Sequence, residues 1–269
     1  KIIEPDTKFS NLPKSLTCAG FPIREYDDKI PSNLTVEQIL VRSGNIGSVK
    51  IAQKIGEDKF KLFLSKIGVI EDLDFDIEEI GKPIKFNWGK CPLATAAFGH
   101  GITTTLLQLA KGYSIIVNGG YDVKPKLIKE FNGIKKKKIL DKDVSLKILP
   151  ILRKTVSSKE GTASLSNVEG FEVGGKTGTA QKIEDGAYTR KKINSFVSIF
   201  PTSKPRFVLA VMLDEPKTNK EYIYYLRDGS NIKYKGTPYN TAGWTTVEVS
   251  GQILQKIGPI LATKYSEVY

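Results

Sequence analysis

Two apolar runs, residues 195–200 and 206–213, are separated only by a short segment holding Pro201 and Pro205. Parallel neighbours in a sheet need a crossover of roughly a dozen residues or more, usually a helix. A connection this short therefore makes the two runs antiparallel. Residues 171–183, just upstream, form another extended stretch, and residues 247–261 have the pattern of a closing helix.

Helical patterns come earlier. Thr35-Val36-Glu37-Gln38 fits a capping box ahead of Ile39-Leu40-Val41. A second pattern runs through Ile46, Val49, Ile51, Ala52 and Ile55 to Gly56, and a third covers residues 59–67 before Gly68. Residues 103–117 read as a buried helix stopped by Asn118-Gly119-Gly120, and residues 143–158 as another. Residues 1–33 read as irregular with short extended pieces, 69–92 as a loop, and 126–139 as strand–turn–strand around Asn132-Gly133. Helices, then a meander of strands, then a helix predict an α+β fold, an antiparallel sheet covered by helices. With no repeat and no low-complexity linker, residues 1–269 read as one domain.

Composition narrows the function classes. The 269 residues are 40% hydrophobic and carry a net charge of +12, spread along the chain as a lysine-rich solvated surface. The dense run Lys135-Lys136-Lys137-Lys138 reads as an exposed turn, and no aromatic-plus-basic signature points to nucleic acid. The two cysteines, Cys18 and Cys91, form no CxxC, which excludes a disulfide framework and a cysteine-rich zinc site. Whether they pair is left open. A metal site or a Ser-His-Asp triad would rest entirely on the single histidine, His100, which reads as a loop residue packing near the core. Trp88 and Trp244 read as packing residues.

Two motifs carry chemistry. Ser43-Gly44-Asn45 falls between two helical patterns, so a hydroxyl and a carboxamide project from one tight turn. Gly174-Gly175-Lys176-Thr177-Gly178-Thr179 sets a cation beside two hydroxyls, which suits an anionic group on a ligand. Its glycines would let backbone approach that ligand closely. On an edge strand, its N–H groups would pair with an extended peptide or polarise a carbonyl.

The same residues match a rival. Residues 170–177 fit the P-loop pattern G-x-x-x-x-G-K-[ST], and Val208 to Asp214 resembles a strand ending in a magnesium-binding carboxylate. A P-loop must come after an apolar strand and open a helix. Residues 165–169 are mostly polar, and Gly178 and Gly186 interrupt the polar stretch after Thr177. The P-loop nucleotide-binding module stays as the alternative.

Ser-x-Asn followed far downstream by Lys-Thr-Gly resembles the penicillin-binding proteins and serine β-lactamases, which add an upstream Ser-x-x-Lys. Longer blocks are similar to class B penicillin-binding proteins of the cell-division D,D-transpeptidase type: residues 34–47, 98–110, 118–120 and 174–181, Ser195-Phe196-Val197, Pro205-Arg206 and Thr241-Ala242-Gly243-Trp244. The resemblance implies a penicillin-binding transpeptidase or serine β-lactamase-like fold. It implies acyl transfer through a serine acyl-enzyme on the D-Ala-D-Ala end of a peptidoglycan stem peptide, with β-lactams acylating the same serine. Carried over, Ser43 relays protons, Asn45 bonds the substrate amide, and Lys176 with Thr177 and Thr179 binds the terminal carboxylate. The Thr179 N–H supplies half of an oxyanion hole, and Gly178 belongs to the same substrate-binding strand. No metal or organic cofactor is implied. The expected setting is a periplasmic catalytic domain, anchored in the inner membrane, with divisome partners and a role in septal wall synthesis. A penicillin-recognising sensor or carboxypeptidase, and a non-catalytic scaffold, are further readings.

Residues 1–42 contain no Ser-x-x-Lys. The one such string, Ser230-Asn231-Ile232-Lys233, comes after the Lys-Thr-Gly motif in a polar loop and reads as coincidence. The expectation is an N-terminally incomplete domain that lacks its nucleophile and is inactive alone.

Overall fold

The computed structural model describes residues 3–77, 81–128, 137–185 and 187–265, which fall into two compact units, Lys1–Ile148 and Leu149–Tyr269.

The first unit starts with short strands. β1 (Lys8–Phe9) pairs with β4 (Leu34–Thr35), and β2 (Ser15–Cys18) forms a hairpin with β3 (Phe21–Arg24). The capping box at Thr35 is present and opens α1 (Val36–Val41). α2 (Asn45–Ile55) ends at Gly56, whose φ of 87° is the left-handed conformation that glycine adopts readily. α3 (Glu57–Lys66) comes next. The apolar faces of α1 and α2 meet Leu12, Ile23 and Leu34 in one core that includes the fully buried Ile46 and Val49. Each such aliphatic contributes about 1.5–3 kcal/mol.

Two details differ from the sequence reading. Residues 90–96 form α4 (Lys90–Ala96), a helix too short to show a period. The helix expected from residue 103 begins later, as α5 (Leu106–Val117), because Thr105 and Gln108 form a second capping box. Gln108 is fully buried, and its side-chain amide donates to Glu71 O, tying the irregular stretch to α5. Cys18 and Cys91 pair, and this disulfide joins the β2–β3 hairpin to α4. Asn132, Gly133, Lys135 and Lys136 lie outside the described residues. Beside them, Tyr121 bridges Lys138 and Asp122 N–H donates to Lys137 O (2.8 Å).

α6 (Lys142–Ser157) runs through the unit boundary. The second unit is built on one antiparallel sheet, β5 (Gly174–Glu184), β6 (Ala187–Phe200) and β7 (Phe207–Asp214), ordered β5-β6-β7. The connection holding Pro201 and Pro205 does join antiparallel neighbours, with Phe200 opposite Phe207. β8 (Ile223–Tyr225) and β9 (Lys233–Lys235) form a small hairpin, and α7 (Thr246–Lys264) packs on β6 and β7. Phe196, Phe200, Val247 and Leu254 are almost wholly buried at the centre of this unit. Trp244 packs edge-on against Tyr224 and Tyr234, as the packing reading expects.

The fold has helices and antiparallel sheet, as expected, and it overturns the P-loop alternative. Lys176 and Thr177 lie inside β5, paired with Val197 and Phe196, and no helix opens after them. Strand geometry spreads successive N–H groups to opposite edges, so they cannot converge on a phosphate.

Candidate active site

Ser43 and Asn45 belong to the first unit. Ser43 occupies the turn between α1 and α2 at φ 57°, a conformation uncommon outside glycine and worth notice where it occurs. Two backbone bonds close the turn, Ser43 N–H to Leu40 O (3.2 Å) and Gly44 N–H to Ile39 O (2.9 Å). Asn45 is the first residue of α2, where helix N–H groups lack intrahelical partners. The Glu25 carboxylate, just after β3, supplies them: Oε2 accepts from Asn45 N–H (2.7 Å) and Oε1 from Ile46 N–H (3.1 Å). A carboxylate at a helix N-terminus is also favoured by the helix dipole. The Asn45 side-chain Nδ2 donates to Arg24 O (2.9 Å). One strand end thus fixes both the helix start and the carboxamide.

Lys176, Thr177, Gly178 and Thr179 belong to the second unit, on β5. Among the described residues no strand pairs with the outer edge of β5. The direction of its backbone groups can be read from one bond. Gly175 O accepts from Thr155 Oγ1 (2.7 Å), away from β6. Because backbone direction alternates along a strand, Thr177 and Thr179 turn their N–H and C=O groups to that same outer edge. The Lys176 ammonium agrees, donating to Thr177 O (3.0 Å). Burial pushes the Lys176 pKa down to about 8.

The two hydroxyls are held from the same unit. Thr177 Oγ1 lies 2.8 Å from Thr162 Oγ1, and Thr179 Oγ1 accepts from Ala242 N–H (3.0 Å). The 240–245 segment is in turn fixed to β6, where Asn194 Nδ2 donates to Asn240 O (2.8 Å) and Thr245 Oγ1 (2.7 Å).

The glycines differ from expectation. A Cβ on Gly174 would stand 2.6 Å from Thr202 Cγ2, and one on Gly175 2.6 Å from Val197 O. On Gly178 it would stand 2.6 Å from Ser195 Oγ. Glycine here lets the protein pack against itself, rather than clearing space for a ligand.

Sequence reasoning missed Glu25, Thr162 and Asn194, since each acts through a partner distant in sequence. The block Thr241-Ala242-Gly243-Trp244 does stand out in the sequence, and the Ala242 N–H gives it a contact with the motif. His100 packs beside the Phe98 ring, and burial lowers its pKa despite a hydrogen bond that the imidazole donates to the Phe98 backbone. Ser230 lies in an exposed turn, its backbone N–H donating to Asp228 Oδ1 (3.0 Å).

The sequence profile described as the penicillin binding protein transpeptidase domain matches residues 1–227. A probable peptidoglycan D,D-transpeptidase FtsI of Caulobacter vibrioides is 28% identical over 244 residues, covering 86% of this chain and 39% of that protein. The stage V sporulation protein D of Bacillus subtilis is 33% identical over 199 residues, covering 68% of this chain and 30% of that protein. This chain therefore spans well under half the length of either relative. The apo transpeptidase domain of Burkholderia pseudomallei penicillin-binding protein 3 superposes with a TM-score of 0.80 at 24% identity, covering 98% of this chain and 74% of that one.

Proposed function

Since the chain belongs to the penicillin-binding protein transpeptidase family, we propose that it is part of a peptidoglycan D,D-transpeptidase that works through a serine acyl-enzyme. The observation that carries this reading is the outer edge of β5, where a cation, two hydroxyls and an outward N–H line one strand. In the proposed reaction a serine Oγ attacks the carbonyl between two D-alanines. The C–N bond breaks, D-alanine leaves, and an acceptor amine then attacks the acyl carbon and frees the serine. Lys176, Thr177 and Thr179 bind the terminal carboxylate, and Gly178 keeps the strand close to β6. The Thr179 N–H is one oxyanion donor, a group worth about 3 kcal/mol of barrier. Asn45 accepts the substrate amide N–H on Oδ1, and Ser43 relays the proton to the leaving amine.

The serine itself is assigned to a Ser-x-x-Lys outside this sequence, because residues 1–42 hold none. On this reading residues 1–269 are one transpeptidase domain without its nucleophile segment, inactive alone. β-Lactams would acylate the same serine. The Cys18–Cys91 disulfide suits an oxidising compartment, which supports a periplasmic site. An inner-membrane anchor belongs to the same proposal; no helix among the described residues is long and apolar enough to cross a membrane. Septal wall synthesis with divisome partners is the proposed setting.

The test is a transfer assay on the protein carrying its natural upstream segment, with a D-Ala-D-Ala peptide as donor and a D-amino acid as acceptor. Transfer product that is lost in Lys176→Ala supports the reading. Hydrolysis with no transfer at saturating acceptor would replace it with a carboxypeptidase.

A further inference from the structure

Thr179 has a neighbour to which the proposed reaction gives no part. Asn194 on β6 is its cross-strand partner. Thr179 turns its backbone groups to the outer edge of β5, so the two residues exchange no backbone bonds. In pairs of that kind the side chains on one face come closest. Asn194 is fully buried and Thr179 half-buried. Both bond to the same piece of chain, residues 240–245, just ahead of α7.

Asn194 reaches both ends of that piece with one group. Its Nδ2 donates to Asn240 O (2.8 Å) and to Thr245 Oγ1 (2.7 Å). The Thr245 hydroxyl donates its own proton to Thr241 O (3.0 Å), and Lys192 Nζ holds Asn240 at Oδ1 (2.8 Å). The same side chain shows a penalty. Among the described residues its buried Oδ1 has no hydrogen-bond partner. A buried acceptor left without a bond is unfavourable, and an aliphatic side chain at this position would avoid it. What the two N–H groups hold accounts for the carboxamide.

What they hold is Ala242, whose N–H donates to Thr179 Oγ1 (3.0 Å). A threonine hydroxyl has one proton to give and two lone pairs to accept with. With a lone pair engaged by Ala242, the O–H turns away from the 240–245 segment. Among the described residues no acceptor takes that proton. It is left for an anion, and hydrogen bonds to ionised groups are the stronger kind. A hydroxyl oriented beforehand also loses less freedom when the anion arrives. Without Ala242 beside it, Thr179 would keep its place in the strand, but its hydroxyl would be free to rotate.

We propose that Asn194 is a positioning residue for the Thr179 hydroxyl. By clamping residues 240–245 it holds the Ala242 N–H against Oγ1 and leaves the O–H aimed at the carboxylate. The inference rests on the carboxylate-binding role proposed for Thr179 and deepens it, adding a residue that never touches the substrate.

The experiment is steady-state kinetics of transfer by the protein carrying its natural upstream segment, with a D-Ala-D-Ala peptide as donor and a D-amino acid as acceptor. Thr179→Val, Asn194→Ala and the two combined are compared with the parent. Thr179→Val is expected to raise KM for the donor about tenfold, the scale of one hydrogen bond to a charged group. Asn194→Ala is expected to raise it about fivefold with kcat within about twofold of the parent, because the hydroxyl is misdirected and not removed. The combined variant is expected to match Thr179→Val, since two residues acting through one bond do not add. A merely structural role would lower kcat through loss of folded protein, leave KM unchanged and add to the Thr179→Val loss, and that result overturns the assignment. Should Asn194→Ala fail to fold, Thr245→Val loosens the clamp from its other end at nearly constant volume. A rise in KM of about twofold there supports the clamp, and an unchanged KM overturns it. A KM raised by Thr179→Val and unmoved by Asn194→Ala overturns the clamp alone. A KM unmoved by Thr179→Val overturns the carboxylate reading of Thr179 and the clamp with it.

Discussion

Ser43 and Asn45 are held quite differently from Lys176 and Thr179. The first pair sits on a turn with a left-handed residue, and its unit is stitched together from short strands, helix caps and a disulfide. The second pair sits inside an eleven-residue strand of a sheet completed by strands of fourteen and eight residues and packed by a nineteen-residue helix. The turn owes its shape to a few specific contacts, with Glu25 first among them. The strand owes its shape to a ladder and a core shared by many residues. A few contacts can be removed singly, whereas a ladder is lost only with its whole unit.

One tryptophan lies in each unit, Trp88 in the first and Trp244 in the second. Variants that keep only one of them report each unit separately, which makes the comparison testable.

The largest effect is expected in the second unit from Glu248→Ala. Glu248 and Arg227 form a buried bidentate pair with contacts of 2.7 and 2.8 Å, and Tyr222 and Gln252 also donate to Glu248. Removing one partner strands a buried charge and costs about 3–5 kcal/mol. Denaturant unfolding monitored at Trp244 should show that loss. The same pair sets an acid limit. Burial alone would raise the Glu248 pKa, but Arg227 and its other donors bring it below the ordinary 4.5. Its stabilisation is therefore present above pH 4.5 and lost as pH falls through the lower folded value. Acid unfolding of Glu248→Gln that matches the parent would contradict this.

Next comes Cys18→Ala with Cys91→Ala. The disulfide closes a loop of 73 residues, so its removal should cost the first unit about 2–4 kcal/mol. Loss seen at Trp88 and not at Trp244 sharpens the contrast between the units, and equal loss at both breaks it. A smaller effect concerns charge. With its pKa near 8, Lys176 loses its proton as pH rises through that value. Affinity for a peptide carboxylate should drop about tenfold with each unit above it, against no change for the same peptide as its amide. The smallest effect is expected from Thr35→Ala, which removes the α1 cap at about 1 kcal/mol and should appear only at Trp88.

Much of this was legible in the sequence. The capping box at Thr35, the glycine stop at Gly56 and the proline-broken link between β6 and β7 are local signals with local causes, and all three are in the structure. The Lys-Thr-Gly strand was legible for a similar reason, since its glycines disfavour helix and its neighbours are antiparallel by connection length. α4 was not, because seven residues make too few turns to show a period. Nor were β8 and β9, three residues each and partly polar. The cysteine pairing and the roles of Glu25, Thr162 and Asn194 depend on partners brought together only by folding. The P-loop match shows the converse: a pattern of residue types holds in the string and fails once the strand pairs.

The most direct test of the central claim is covalent labelling by a fluorescent penicillin. The 269-residue chain would be compared with a form extended upstream in its natural reading frame. The account expects the extended form alone to label, at the serine of an upstream Ser-x-x-Lys, and to lose the label when that serine becomes alanine. Labelling of the shorter chain at Ser230, or of the extended form after that substitution, would contradict it.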